Sequence, residues 1–304
     1  MKNRLLITGA SGFLGWNICK QAASAWKVFG ICNTHPVDIG SITSIKLDIT
    51  NYAELKKIFS EIQPGAVIHT AAVSDPNYCQ VNPSETHKIN VNASADIAGL
   101  CTDFQIPCVF TSTDLIFDGL EAPYSESGRV NPVCVYGEQK AEAEKAIQSR
   151  CPEAAICRMP LMFGYTGGAN KNFFYKMVQT LLEGKCVRLF SDEYRTPADT
   201  ESAAKGLLLA TEKIKGIIHM GGPTRISRYE MGKMIARLLK ISESQVEPTL
   251  QKDTDMPAPR PPDVSLVSSQ AYSIGYNPMD IEPACSNILH KVRFQINPKG
   301  FQNP

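Results

Sequence analysis

Neither acidic nor basic residues are in excess in this chain. Its 304 residues hold 31 Lys and Arg against 30 Asp and Glu, a formal charge of +1 with no basic block. Electrostatics therefore give no ground for a nucleic-acid partner. Also missing is any uninterrupted apolar run of membrane-spanning length. The opening MKNRLLITGA offers three strongly apolar residues before a Thr-Gly break, too few for a secretory leader. No membrane association and a cytoplasmic location are expected. Ten cysteines are present, yet no CxxC pair and no matching His cluster of the zinc type. They read as small apolar core residues of a reducing compartment, and no structural metal is expected. There is no low-complexity segment.

What is present is an ordinary globular composition. Hydrophobic residues make up 43% and charged ones 20%, enough to bury a sizeable core, and the length suggests about two domains. RLLITGA (4–10), KVFGIC (27–32), SIKLDI (44–49), AVIHTAA (66–72) and PCVFTST (107–113) are short β-prone runs ending in small or polar residues. Helical segments such as 51–62 and 84–100 lie between them. Strands alternating with helices pair in parallel, because a crossover helix must return the chain to the same edge. The fold class expected is α/β, a doubly wound parallel (Rossmann) sheet, with two more strands at 153–164 and 216–222. A smaller, partly interleaved C-terminal region follows. Residues 1–163, with 200–222 returning, form the nucleotide-binding domain; 164–199 and 223–304 form the substrate region. There, 164–184 begins as a glycine-rich loop and turns helical, 223–240 holds another helix, and DMPAPRPPD (255–263) is too proline-rich for helix or central strand.

The first strand runs into Gly9-x-x-Gly12-x-x-Gly15 and then a helix. Glycines allow a tight turn and let the backbone approach a pyrophosphate at the positive end of the helix. Alone, the pattern also suits a simple strand–helix turn; at the first junction of an alternating domain it points to a dinucleotide. After the second strand the chain reads GICNTHP, and the first acid, Asp38, comes late. With no carboxylate set to repel a 2′-phosphate, NADP(H) is favoured and NAD(H) remains open. Cys32, Asn33 and Thr34 lie near that phosphate, without the Arg that often grips it. Asp48 and Ile49 flank the adenine, or end an ordinary strand.

Four signals fall in order: TGxxGxxG (8–15), HTAA (69–72), FTSTDLIFDG (110–119) and Tyr136-x-x-x-Lys140. In this combination the chain resembles the extended short-chain dehydrogenase/reductase family over nearly its whole length. Within that family it resembles the dTDP-4-dehydrorhamnose reductases, through STDLIFDG, NPVCVYGEQKAEAE, KNFFYKM and RPPDVSL. The resemblance implies cofactor contacts from Gly9, Ser11, Gly12, Phe13, Leu14, Gly15, Thr70, Ala71 and Ala72, and from Tyr136 and Lys140. It also implies that Thr113 hydrogen-bonds a substrate carbonyl while Tyr136 protonates the developing alkoxide. Residues i and i+4 of a helix share a face, with Cβ atoms roughly 5–6 Å apart. A close ammonium is expected to lower a phenol from its usual value near 10, and about three units would represent roughly 4 kcal/mol. Taken alone, Tyr136 and Lys140 would be an ordinary exposed helix pair.

The expected partner is a small nucleotide-sugar substrate, with a homodimer through helices 84–104 and 136–150 as in many relatives. Leu115 stands where dehydratases of the family carry Glu, which favours reduction over elimination. Asp114 is placed with the substrate contacts. Arg260, in APRPPD, matches the family Arg that approaches the nucleotide diphosphate, and Asn172 matches a position near the nucleotide. Arg195 is expected either to touch a phosphate or to form a surface salt bridge. Arg195, Ala198 and Leu161 depart from the family pattern, which leaves the sugar open. His69 and His219 read as core or strand-end residues. The alternatives are an epimerase or dehydrogenase of the same family, or a regulatory subunit like the methionine adenosyltransferase β subunit, which also keeps the Tyr and Lys.

Overall fold

The structure is a computed structural model describing residues 3–37, 39–165 and 172–296. Asp38 and residues 166–171 of the glycine-rich loop lie outside the described residues. The strands of the central sheet are β1 (Arg4–Thr8), β2 (Lys27–Cys32), β3 (Thr43–Lys46), β4 (Ala66–His69), β5 (Cys108–Thr113), β6 (Ala155–Met159) and β7 (Gly216–His219). Helices of ten residues or more are α1 (Phe13–Ala22), α2 (Tyr52–Ile62), α3 (Ala93–Asp103), α4 (Val135–Arg150), α5 (Phe173–Leu182), α6 (Thr200–Lys213), α7 (Arg228–Leu239) and α8 (Ile281–Ile296). The sheet runs β7-β6-β5-β4-β1-β2-β3 with every pairing parallel. Strand order reverses between β1 and β4, the place where doubly wound sheets open a crevice at their carboxyl ends.

Side chains alternate across the pleat, and each face builds its own core. Leu5, Ile7, Val28, Ile68 and Val109 pack beside Ile18 of α1 and Leu207 of α6. Leu6, Ile31, Val67, Phe110 and Ile156 pack on the other face with Phe59 of α2, Ile97 of α3 and Ile147 of α4. A separate core joins α5, α7 and α8 through Phe174, Val178, Met231, Ile235 and Ile288. Helix α7 opens on a capping box, in which Ser227 and Glu230 exchange side-chain and backbone bonds. Segment 255–263 lies outside helices and strands, apart from a single bridge from Asp263 to Tyr194.

Three elements differ from the pattern read in the sequence. The strand expected over 153–164 stops at Met159, and Met162–Phe163 pairs instead with Ala198–Asp199. Pro160 lies between them and has no N–H to continue the ladder. The helix expected over 84–100 comes in pieces, Pro83–His87, a π-turn at Lys88–Asn92, and α3. Within the wider turn Asn90 bonds both the Val73 backbone (2.8 and 3.1 Å) and Gln139 Oε1 (2.9 Å). The third strand ends at Lys46, short of the 44–49 run. None of the ten cysteines is in a disulfide; nine are buried and Cys186 is exposed. Among the described residues, no helix is long and apolar enough to cross a membrane.

Candidate active site

The turn after β1 is built by close backbone approach. Gly9 has φ +68°, and a Cβ there would stand 2.7 Å from Ala71 N. A Cβ on Gly15 would come within 2.2 Å of Gly9 O, so the first turn of α1 can press on the loop only with glycine there. Gly12 caps α1 without a side-chain bond, leaving the first-turn N–H groups open to an anion. A cavity of about 460 Å³ begins at this turn and runs over the carboxyl ends of the sheet.

Its wall includes Gly9, Ser11, Gly12, Phe13, Leu14 and Gly15 from the turn, and Cys32, Asn33 and Thr34 after β2. Asp48 and Ile49 follow β3, Thr70, Ala71 and Ala72 follow β4, and Tyr136 and Lys140 come from α4. The cofactor contacts expected from the sequence thus share one cavity. The glycine cradle and the run of polar wall out to Thr34 fit a dinucleotide. The wall also includes residues that sequence reasoning passed over, notably His35, Thr111 and Ser112. The Ser112 hydroxyl is buried without a hydrogen-bond partner. Strand alternation was the signal available for it: Ser112 shares a face with Phe110, against α4, opposite to Thr113.

Helix α4 reaches this place because of Gly137, where a Cβ would stand 2.2 Å from Leu115 O. Tyr136, one residue earlier, is therefore brought against the end of β5. Burial pushes its phenol well above the ordinary range; Cys79, Asp114 and Cys134 add to this, and a hydrogen bond from Thr113 draws it back. The direction is opposite to the lowering expected from the lysine, with desolvation of the buried phenolate as the largest cause. Protonated, the phenol is a donor. Lys140 is buried, with Nζ 3.9 Å from the Phe110 ring centroid. Burial brings its pKa down to about 7, against an upward pull from Glu144. Thr113 is buried at the end of β5, where its Oγ1 accepts from Leu115 N (3.2 Å).

The residues expected to touch substrate lie differently. Arg195 is neither at the surface nor open to a phosphate. Its Nη1 donates to both oxygens of Asp114 (2.8 and 2.9 Å) and its Nη2 to Glu193 Oε1 (3.0 Å), with Arg195 4% and Asp114 1% exposed. Asp114 and Arg195 therefore hold each other. Asn172 caps α5, accepting from Tyr175 N (2.9 Å) and donating to Gly164 O (3.1 Å), which takes up its amide in local structure. Arg260 is half-buried and donates to Ala258 O (3.0 Å) and Asn77 Oδ1 (3.0 Å). His69 bonds Thr8 Oγ1 (2.6 Å) and Ser94 Oγ (2.8 Å), while His219 bonds the Tyr124 carbonyl (3.1 Å). Burial lowers both imidazoles to about 3.

Comparison with known proteins gives this geometry a setting. The probable low-salt glycan biosynthesis reductase of Haloferax volcanii is 29% identical over 260 residues, 84% of this chain and 86% of that protein. Methionine adenosyltransferase 2 subunit beta of Xenopus tropicalis is 28% identical over 285 residues, 90% of this chain and 82% of that protein. A hypothetical dTDP-4-dehydrorhamnose reductase from Sulfolobus tokodaii superposes with a TM-score of 0.80 at 30% identity, covering 92% of this chain and 98% of its own. The dTDP-4-dehydrorhamnose reductase of Clostridium acetobutylicum gives 0.83 at 26%, covering 95% and 99%. Residues 2–294 match the RmlD substrate binding domain, and the chain belongs to that family of extended short-chain dehydrogenase/reductase enzymes.

Proposed function

We propose that this protein is an NADP(H)-preferring oxidoreductase that reduces a keto group of a nucleotide sugar, as dTDP-4-dehydrorhamnose reductases do. The observation that carries this reading is the single cavity joining the glycine turn to Tyr136 and Lys140. A bound reduced nicotinamide supplies the hydride. The chain's own residues bind, orient and move a proton: the turn at Gly9–Gly15 holds the pyrophosphate, and Lys140 holds the nicotinamide ribose. The Tyr136 phenol, which burial keeps protonated, gives its proton to the forming alkoxide. On substrate binding the Thr113 hydroxyl turns from Asp114 Oδ1 to the carbonyl oxygen, and Arg260, with a side free of deep burial, is the cation that approaches the diphosphate.

For the cofactor, Asn33, Thr34 and His35 are exposed polar side chains in the cavity wall. Asp48, the carboxylate among the described wall residues, accepts from the Thr50 backbone and hydroxyl (2.9 and 2.8 Å). That arrangement supports NADP(H). The test is oxidation of NADPH with a panel of nucleotide keto-sugars, alongside titration of both cofactors. Turnover with at least one sugar and tighter binding of NADPH are expected; tighter binding of NADH would overturn the preference.

A second reading has its own support. The relatives that align over 90% of this chain include methionine adenosyltransferase 2 subunit beta from several vertebrates. Copurification with a larger catalytic partner, together with no turnover of any keto-sugar, would favour a regulatory subunit.

A further inference from the structure

Tyr136 and Lys140 line the cavity, but a charged group stands behind them that the reaction above does not use. Arg195 bridges Asp114 and Glu193, and Glu193 Oε2 in turn accepts from Arg228 Nε (2.9 Å). Asp114 follows Thr113, whose hydroxyl donates to Asp114 Oδ1 (3.2 Å), and the Asp114 charge reaches Tyr136. One corner therefore contains two groups able to carry a proton, a phenol and a carboxyl.

A buried carboxyl without a partner takes up a proton more readily than it stays charged. It would then be a second acid beside the phenol. Arg195 prevents this, being permanently charged and setting Nη1 against both Asp114 oxygens while Nη2 holds Glu193. We propose that Arg195 is a positioning residue that leaves this corner with one proton donor, its guanidinium occupying both oxygens of Asp114 so that Tyr136 alone protonates substrate. The proposal rests on the reductase reading and deepens it. Asp114 stays an acceptor, bonded by the Thr113 hydroxyl in the free protein, and acid-assisted loss of a substrate hydroxyl finds no carboxylic-acid donor here.

The surroundings of both groups agree. Burial holds the Asp114 carboxyl above its ordinary range; Arg195 and Thr113 oppose that rise without cancelling it, and the nearby Glu193 adds to it. Cys79 and Cys134 also push the Tyr136 phenol upward, and Lys140 shares its cavity wall. With Arg195 removed, the upward pushes on Asp114 lose their main opponent.

The test is infrared difference spectroscopy of the full-length protein at pH 7, reading the carbonyl stretch of a protonated carboxylic acid. Wild type and Arg195→Lys should lack the band, and Arg195→Met should show one that disappears when Asp114→Asn is added. A band assigned to Asp114 in wild type, or none in Arg195→Met, would overturn the proposal. Should Arg195→Met fail to fold, Arg195→Gln replaces it with the same expectation: a band that Asp114→Asn removes, its absence overturning the proposal. In the reductase assay, Arg195→Lys should keep the wild-type pH profile while Arg195→Met adds a second ionisation; identical profiles count against the assignment. The spectra need no turnover, so an absence of keto-sugar reduction would defeat the reductase reading by a separate result.

Discussion

The Lys140 ammonium lies 3.9 Å from the centre of the Phe110 ring, joining α4 to β5 through a cation and an aromatic face. Ring and burial act in opposite senses, since the ring favours the charged form and desolvation the neutral one. Lys140 should titrate near 7 by carbon-13 lysine NMR, and Phe110→Leu should move the midpoint lower by up to about one unit. A midpoint at 10.5 would refute this. Folded Lys140 gives up its proton before the unfolded chain does, so its contribution to stability rises with pH from about 7 towards 10.5. Lys140→Met should flatten that rise in urea titrations.

Tyr136→Phe removes the proton donor and little binding surface. Turnover should fall by about 10²- to 10⁴-fold while cofactor affinity stays near wild type. Single-turnover kinetics with a fluorescence titration of NADPH check both halves, and an unchanged kcat would remove Tyr136 from its role.

His69 and His219 stay neutral in the folded state to about pH 3, whereas in the unfolded chain they charge near 6.5. The unfolded state therefore binds more protons in that window, and stability falls as pH drops through it. One unit below 6.5 each histidine removes about 1.4 kcal/mol. Denaturant midpoints at pH 7 and 5.5, above the range where carboxylates titrate, should show this loss. His69→Gln should recover part of the difference, and equal pH slopes in variant and wild type would sink the account.

Gly137→Ala should be costly out of proportion to one methyl. Its Cβ would stand 2.2 Å from Leu115 O, a backbone atom that cannot rotate aside. A loss of about 1–3 kcal/mol is expected, with Tyr136 displaced from Thr113. Thermal melts and the turnover assay check it; a variant with wild-type Tm and rate would show that the helix does not depend on this contact.

Much of the fold is legible in the sequence because apolar runs ending in small residues keep their period whatever surrounds them. The turn at Gly9–Gly15 and the Tyr136–Lys140 pair are local patterns, and local patterns survive translation into three dimensions. The partners of Arg195 do not belong to that class. Asp114 lies 81 positions away, and no periodicity links an arginine of the short Tyr194–Arg195 strand to the residue after β5. Asn172 was legible as a residue type but not as a cap, since its bonds depend on where α5 begins. The environment of Tyr136 was misread for a related reason: a lysine four residues on is visible in the sequence, but the depth of burial is not.

The seventh strand has a consequence for how this protein can be divided. β7 and the helix before it, α6, reach the sheet only after the chain has gone out through α5 and returned, so the sheet unit is not one continuous stretch. Cutting after residue 163 would strip β6 of its outer neighbour and bare the face that Leu207 covers. Any exchange of modules with a relative would have to graft two separate pieces at once. The separate core of α5, α7 and α8 is thus threaded through the sheet and is not a detachable cassette.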